Sequence, residues 1–274
     1  MCLPRTGESS KEMAEAESNR FIPMGSSVNF RHLGGYEATG GRMTRGDRLF
    51  RSGWFELANQ DDTHLFESLG IRTAFDFRTE AERKRKPLRL ERTPKVRHVF
   101  LDVSSGSMGE YLQRIRHLRP EEIDCRAEMT RMYEAMLTEA TPRLRDLMAI
   151  LLESPDPVLL FCSTGKDRTG VASAMLLAAL GVPKATIFSD YMLSADAYAG
   201  QELQFARNHG LENLGHEVEV FKDIFTVHPE YLEGVWSCME RMSGTIEGFL
   251  AEHLELSREA LDHLRDQYMS PLHR

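Results

Sequence analysis

The chain of 274 residues has no run of 18 apolar residues, so no ordinary transmembrane helix is predicted. Its first 20 residues also lack the apolar core that a secretory signal peptide needs. These two absences predict a protein without an integral membrane segment and located in the cytoplasm, with signal-independent export left open.

Cysteine is scarce and scattered. Cys2, Cys125, Cys162 and Cys238 are too far apart in sequence to indicate a disulfide framework or a zinc site. The ten histidines show no HExxH motif or other paired spacing, so no metal and no cofactor are predicted. A formal net charge of −8 argues against general binding to nucleic acid. The sequence therefore favours a globular protein of a reducing compartment.

One segment, VLLFCSTGKDRTG, stands out from the rest of the chain. Its four apolar residues, Val158–Phe161, predict a buried strand. The small and apolar residues of Val171–Leu180 predict a buried helix, which a glycine and a proline then end. Between them lies a tight polar loop that begins with Cys162 and ends with Arg168.

The spacing of this loop suits an oxyanion. Backbone N–H groups curled at a helix N-terminus form a nest for phosphate, and Gly165 would allow a positive φ. Arg168 would hold two oxygens with its planar fork. The helix dipole, Arg168 and Lys166 would favour a thiolate on Cys162, placed to attack phosphorus and form a phosphocysteine. The predicted phosphate-binding residues are Ser163, Thr164, Gly165, Lys166, Asp167 and Arg168.

Other interpretations of the loop fit less well. A lone cysteine at a strand end is usually a small buried hydrophobe, but the five residues from Gly165 to Thr169 point to an anion site. A Walker-A loop needs glycine where Leu160 stands and Ser or Thr where Asp167 follows the lysine. A thioredoxin-like redox site needs a second nearby cysteine, which the segment lacks.

Strands alternate with helices before the loop, and helices dominate after it. This order predicts an α/β fold with a central, mainly parallel sheet flanked by helices, and a helical C-terminal half. The predicted elements before the loop are a hairpin at 28–53, a helix at 59–69, strands at 71–77 and 96–103, and helices at 109–140, broken at Pro120, and at 142–153. Those after the loop helix are helices at 184–194, 231–242, 245–252 and 257–269. Residues 1–20 are predicted to be a flexible tail and 21–274 a single domain.

The loop CSTGKDRTG resembles the phosphate loop, C-x5-R, of cysteine-dependent tyrosine phosphatases, and its GKDRTG ending is closest to their atypical bacterial tyrosine and dual-specificity branch. Weaker matches to that branch are NFRHLGG (29–35), LFRSG (49–53), DFRTEAE (76–82), DYMLS (190–194) and HPEYLE (228–233). Together they extend over residues 28 to 269. One departure is Phe161, where the family usually has a histidine; this removes a polar support for the thiolate.

The resemblance implies a tyrosine-phosphatase-like fold and metal-independent hydrolysis of phosphomonoesters. Phosphotyrosine in a protein is the leading substrate; phosphoserine, phosphothreonine and phosphoinositides are further candidates, because a second loop cation such as Lys166 accompanies broad activity in the family. Asp167 is the first choice for the acid that protonates the leaving oxygen, since similar enzymes have an aspartate there, and Asp76 is the second choice. The resemblance also suggests a helical lid at 195–227, although an ordinary surface insertion is an equal alternative.

Two other functions are left as alternatives. A catalytically silent module would bind a phosphorylated ligand without releasing phosphate if Phe161 has impaired the thiolate. A sulfur transferase also uses an anion-binding cysteine loop, but the position of Arg168 and the wider match disfavour it. The sequence carries no signal for oligomeric state.

Three charged features outside the loop each have more than one interpretation. Asp76 ends the predicted strand 71–77, where open α/β sheets bind ligands, so it is either a second catalytic carboxylate or a partner for backbone or arginine. Arg31 and Arg51 are either surface charges or structural ion-pair partners, or they support the phosphate loop. A basic stretch comprising Arg83–Lys86, Arg89, Arg92, Lys95 and Arg97 is either simply solvated or attracts phosphorylated or lipid anions.

Overall fold

The computed structural model describes residues 20–25, 27–57, 59–88, 95–104, 118–153, 155–197 and 221–271. The predicted tail, apart from Arg20, lies outside these residues, as do residues 198–220 of the predicted lid and 109–117 of the first predicted long helix. Among the described residues, none of the helices is both long enough and apolar enough to cross a bilayer.

A five-stranded sheet forms the centre of the molecule, in the order β1-β2-β5-β3-β4. Its strands are β1 (Arg31–His32), β2 (Leu49–Ser52), β3 (Thr73–Asp76), β4 (Arg97–Phe100) and β5 (Val158–Phe161). β1 runs antiparallel to β2, which confirms the predicted hairpin, and the other neighbours are parallel. The register aligns Ser52 and Asp76 with Phe161, so β2, β3 and β5 end at one level. The predicted mainly parallel α/β fold is confirmed.

The helices flank this sheet and make up the C-terminal half. They are α1 (Gln60–Ser68), α2 (Glu80–Arg85), α3 (Cys125–Glu153), α4 (Arg168–Ala179), α5 (Lys184–Asp196), α6 (Lys222–Phe225), α7 (Pro229–Ser243), α8 (Ile246–His253) and α9 (Arg258–Tyr268). A 3₁₀ turn occupies Pro120–Glu122. Thr79 and Glu82 form a capping box at the start of α2. The apolar face of α7, including Trp236, is buried.

β5 is buried on both faces, which explains its uninterrupted apolar sequence. Successive side chains of a strand point to opposite faces. Val158 and Leu160 therefore belong to the larger core cluster with α3 and α4, while Leu159 and Phe161 pack in a smaller aromatic cluster with Phe55. This central position fixes the end of β5, from which the phosphate loop begins.

The prediction that a helix begins at Pro142 was wrong, because α3 runs unbroken from Cys125 to Glu153. A proline inside a helix costs about 3 kcal/mol, because one backbone hydrogen bond is lost and the ring crowds the preceding turn. Buried side chains continue on both sides of it, from Met136 and Leu137 to Leu144 and Leu147, and each contributes about 1.5–3 kcal/mol. Burial of the continuous apolar face therefore outweighs the local preference of proline.

Candidate active site

The phosphate loop joins the carboxyl end of β5 to the N-terminus of α4, as predicted. Cys162 is fully buried at the base of the loop, and its Sγ accepts a hydrogen bond of 3.2 Å from the backbone N–H of Gly165. Gly165 has a φ of +71°, and a Cβ there would lie 2.4 Å from the backbone of Ser52 and Gly53. Only glycine fits this approach, which curls the loop around the sulfur.

Arg168 is held by Glu82, a partner that the sequence did not reveal. The two terminal nitrogens of Arg168 donate to the Glu82 carboxylate at 2.6 and 2.8 Å, and Ser163 Oγ donates to the same carboxylate at 2.5 Å. Burial raises the pKa of Glu82, but the hydrogen bonds and charge of Arg168 outweigh it and hold that pKa well below its usual range. A permanently ionised Glu82 therefore fixes the guanidinium beside the loop.

The sequence indicated only part of the contact between Glu82 and Arg168. The spacing of Thr79 and Glu82 is typical of a capping box, so the sequence indicates that Glu82 lies at the start of a helix after β3, at the same sheet edge as the loop. It did not predict that the carboxylate, besides accepting the N–H of Thr79 at 2.9 Å, would also reach across to Arg168. That second contact depends on the packing of two segments that are 86 residues apart.

Lys166 is buried, and its ammonium group is turned toward the α6 region. Its Nζ donates to Asp167 Oδ1 at 2.9 Å and to the carbonyl oxygens of Ile224 and Thr226 at 2.9 and 3.4 Å. The side chain thus ties the phosphate loop to the segment that precedes α7, while its positive charge stays next to the loop.

The two candidate acids have different surroundings. Asp167 is 21% exposed, and its Oδ1 accepts hydrogen bonds from Lys166 and from the hydroxyl of Tyr133, the latter at 2.7 Å. Asp76 is completely buried and accepts two hydrogen bonds, of 2.9 and 2.7 Å, from the Arg78 guanidinium. Burial raises the pKa of Asp76, but His98 and Arg78 outweigh it and keep that pKa below its usual value. The contacts of Asp76 are those of a structural ion pair.

A buried ionic network supports the loop from the side of β2. Arg31 Nε and Arg51 Nη1 donate to the carboxylate of Asp190 at 3.2 and 2.6 Å, and Tyr36 donates its hydroxyl proton at 2.9 Å. Arg51 also donates to the carbonyl of Gly165 at 2.8 Å. Both arginines are partners in a buried structural ion pair, which was one of the alternatives for them. Arg51 in addition contacts the phosphate loop directly.

Asp190 is the anion on which this network depends. Burial raises its pKa, but the charges of Arg31 and Arg51 outweigh it and lower the value to about 2. Burial and the neighbouring Arg51 in turn lower the pKa of Arg31 to about 10. Two guanidinium groups therefore share one carboxylate away from water.

Asp190→Asn is expected to destabilise the fold by about 3–5 kcal/mol, because it leaves Arg31 and Arg51 buried without a counter-charge. The depressed pKa of Asp190 means that its contribution is complete above about pH 4 and is lost as pH falls from its usual value of 3.8 toward 2. Urea unfolding of both proteins from pH 7 to pH 2 measures this. A variant as stable as wild type at pH 7 would contradict the role of the network.

Phe161 is an apolar residue at the position before the cysteine, where the phosphatases that the loop resembles usually have a histidine. Its ring packs edge-on against Phe55, with centroids 5.7 Å apart, and lies 6.1 Å from the ring of His98. Its carbonyl accepts the N–H of Phe77 at 2.9 Å. At this position the start of the loop is therefore held by aromatic packing and backbone pairing.

Comparison with known proteins decides the family. A sequence model of the tyrosine phosphatase family matches residues 22–270. The chain belongs to the tyrosine phosphatase family. As a member, it is a cysteine-dependent phosphatase, which confirms the predicted family and enzyme class. Among the described residues, no three His, Cys, Asp or Glu side chains converge to hold a metal ion.

Several tyrosine phosphatases are similar over most of the chain. A protein of Cupriavidus necator named as a tyrosine-protein phosphatase is 30% identical over 248 residues, which are 88% of this chain and 86% of that protein. The triple specificity protein phosphatase PtpB of Mycobacterium tuberculosis is 27% identical over 246 residues, 80% of this chain and 82% of that one. The crystal structure of P. aeruginosa TpbA is 20% identical, covers 65% of this chain and 86% of that one, and has a TM-score of 0.31.

Proposed function

We propose that this tyrosine phosphatase transfers a phosphoryl group from its substrate to Cys162 and then to water. The Cys162 thiolate forms a bond to phosphorus while the bond between phosphorus and the leaving oxygen breaks, and its electron pair stays on that oxygen. Water then attacks phosphorus, and the thiolate leaves. The observation that carries this proposal is the curled loop that holds the sulfur 3.2 Å from the N–H of Gly165, beside an arginine fixed by Glu82.

The loop supplies the electrostatic part of the reaction. The loop Ser163–Arg168 would bind the phosphoryl group of the substrate. Backbone N–H groups at the start of α4 and the guanidinium of Arg168 would donate hydrogen bonds to its equatorial oxygens. Glu82 occupies the terminal nitrogens, whereas no described residue accepts a hydrogen bond from Arg168 Nε. The Nε–H and the second hydrogen of one terminal nitrogen of Arg168 would therefore form two parallel hydrogen bonds to phosphate.

Asp167 is the proposed proton donor. Its carboxyl would give a proton to the leaving oxygen in the first step and take one from the attacking water in the second. The partial exposure of Asp167 and its place in the loop support this role, whereas Asp76 is fully buried against Arg78.

A pair of isosteric variants separates these two aspartates. Asp167→Asn is expected to lose about 10²-fold in kcat on a phosphate ester with a poor leaving group and little on an activated aryl ester, because only the former needs a proton. Asp76→Asn is expected to keep the leaving-group dependence of wild type and to lose stability instead. Rates across a series of aryl phosphates measure both. Equal, mild losses in the two variants would remove both aspartates from the role.

A protein phosphotyrosine is the proposed substrate. The sulfur is completely buried, and a phosphate on a long, flat aryl group reaches a deep nucleophile better than one on a short side chain. Phosphoserine, phosphothreonine and phosphoinositides are second candidates. The basic residues Arg83–Lys86 at the end of α2 follow Glu82 directly and would attract such anions. A reducing compartment such as the cytoplasm would keep the Cys162 thiol available.

A phosphate-release panel tests the proposal. It compares phosphotyrosyl and phosphoseryl peptides of one sequence with vesicles that contain a phosphoinositide, at equal phosphate concentration. We expect phosphate to be released from one or more of these substrates, and fastest from phosphotyrosine. The reaction should need no added metal and should be inhibited competitively by vanadate. Binding of the phosphopeptides without release would indicate the silent module. Sulfur transfer to cyanide from thiosulfate without phosphate release would indicate the sulfur transferase.

A further inference from the structure

Tyr133 contacts the carboxylate of Asp167 from the core. It lies in the middle of α3, is completely buried, and donates its hydroxyl proton to Asp167 Oδ1 at 2.7 Å. Lys166 Nζ donates to the same oxygen at 2.9 Å. Both hydrogen bonds therefore converge on Oδ1, and no described residue donates to Oδ2.

A second tyrosine fixes the direction of this contact. Tyr191, on α5, donates its hydroxyl proton to the oxygen of Tyr133 at 2.8 Å. Because the oxygen of Tyr133 already accepts a hydrogen bond from Tyr191, the O–H of Tyr133 is directed to Asp167. Burial and the charge of Asp167 raise the pKa of Tyr133 well above its ordinary value, so its hydroxyl stays a donor throughout the range in which enzymes are assayed.

We propose that Tyr133 is a positioning residue for proton transfer by Asp167, which rests on the proposed function. With Oδ1 held by two donors, the proton of the neutral carboxyl is carried by Oδ2, the oxygen that the described residues leave open. Rotation of the carboxyl would exchange the two oxygens, and the rigid hydroxyl of Tyr133 opposes that rotation. The Asp167 proton is thereby presented to the leaving oxygen in one orientation.

The charged and titratable groups near Asp167 come from the loop and three helices. They are Lys166 and Arg168 in the loop, Tyr133 on α3, Tyr191 on α5 and Tyr231 on α7. Removal of the Tyr133 hydroxyl leaves Lys166 as the one described donor to Oδ1. The carboxyl of Asp167 is then less constrained in rotation and presents its proton to the leaving oxygen in more than one orientation.

Tyr133→Phe tests the proposal, because it removes the hydroxyl and keeps the ring in the core. The expected result is a loss of about tenfold in kcat on a phosphate ester with a poor leaving group and little loss on an activated aryl ester. Tyr191→Phe should lose less on the poor leaving group, because the contact between Tyr133 and Asp167 remains.

Two further measurements distinguish positioning from a loss of structure. Tyr268→Phe is the matched control, since its buried hydroxyl donates to the carbonyl of Leu151 at 3.4 Å, near the C-terminal end of α3; it should keep the wild-type rates on both esters. In an Asp167→Asn background, Tyr133→Phe should cost no further activity on the poor leaving group, because it acts only through Asp167.

The outcomes separate this inference from the function on which it rests. If wild type releases phosphate and Tyr133→Phe keeps both the rates and the leaving-group dependence of wild type, the positioning role is overturned and the phosphatase mechanism stands. If Tyr133→Phe does not fold, an unchanged leaving-group dependence in Tyr191→Phe overturns the positioning role. If wild type releases no phosphate, both proposals fall together.

Discussion

Cys162→Ser is expected to release no measurable phosphate from any substrate that wild type hydrolyses, a loss of about 10⁴-fold or more in kcat. A serine hydroxyl does not ionise at neutral pH, so the nucleophile is lost although the shape of the side chain remains. Arg168 is expected to stay in place in the variant, because Glu82 still holds it. The variant should therefore still bind a phosphotyrosyl peptide, which a titration by fluorescence anisotropy measures alongside phosphate release.

Cys238→Ser provides the matched control for this substitution. Cys238 is also a buried cysteine, on α7, and its sulfur lies 4.0 Å from the sulfur of Met242. Its replacement by serine should lower stability slightly and leave the rate of phosphate release at that of wild type. Retained activity in Cys162→Ser would contradict the role of the sulfur.

Arg168→Lys is expected to reduce kcat by about 10³-fold while it keeps the positive charge. A lysine is a point charge that cannot form two parallel hydrogen bonds to phosphoryl oxygens, and donors aimed at the developing charge are worth roughly 10²–10³-fold each. Lysine would also lose the bidentate contact with Glu82, which now holds the guanidinium in position. Single-turnover kinetics measure the loss in the chemical step.

The control for the arginine is an exchange of the same kind at the surface. Arg143 is exposed on α3 and, among the described residues, forms an ion pair only with Asp146, three residues along the same helix, so Arg143→Lys should keep the wild-type rate. If Arg168→Lys is also nearly as fast as wild type, the planar fork is not required, and a simple positive charge would explain the loop.

The sequence predicted the elements whose pattern is local. β5, the loop and α4 lie within 22 consecutive residues, and the apolar run, the glycine and the arginine could be interpreted without the rest of the chain. The capping box of α2 was equally local. These features are set by hydrogen bonds and periodicities that extend over a few residues.

What the sequence did not predict depends on distant pairs. Asp190 joins Arg31 and Arg51, which come from strands more than 130 residues away along the chain. Tyr133 was indistinguishable from a core residue, because an aromatic side chain on the buried face of a helix carries no mark of a polar contact at its tip. Pro142 was misleading for the opposite reason, since the local rule was clear but the packing of α3 prevailed.

A rapid acid quench during turnover, followed by peptide mapping with mass spectrometry, tests the central claim most directly. The predicted result is one phosphoryl group on the peptide that contains Cys162, at a level that rises with the onset of turnover and is absent from Cys162→Ser. Steady release of phosphate with no phosphoryl group on that peptide, or with one on a different residue, would contradict the account.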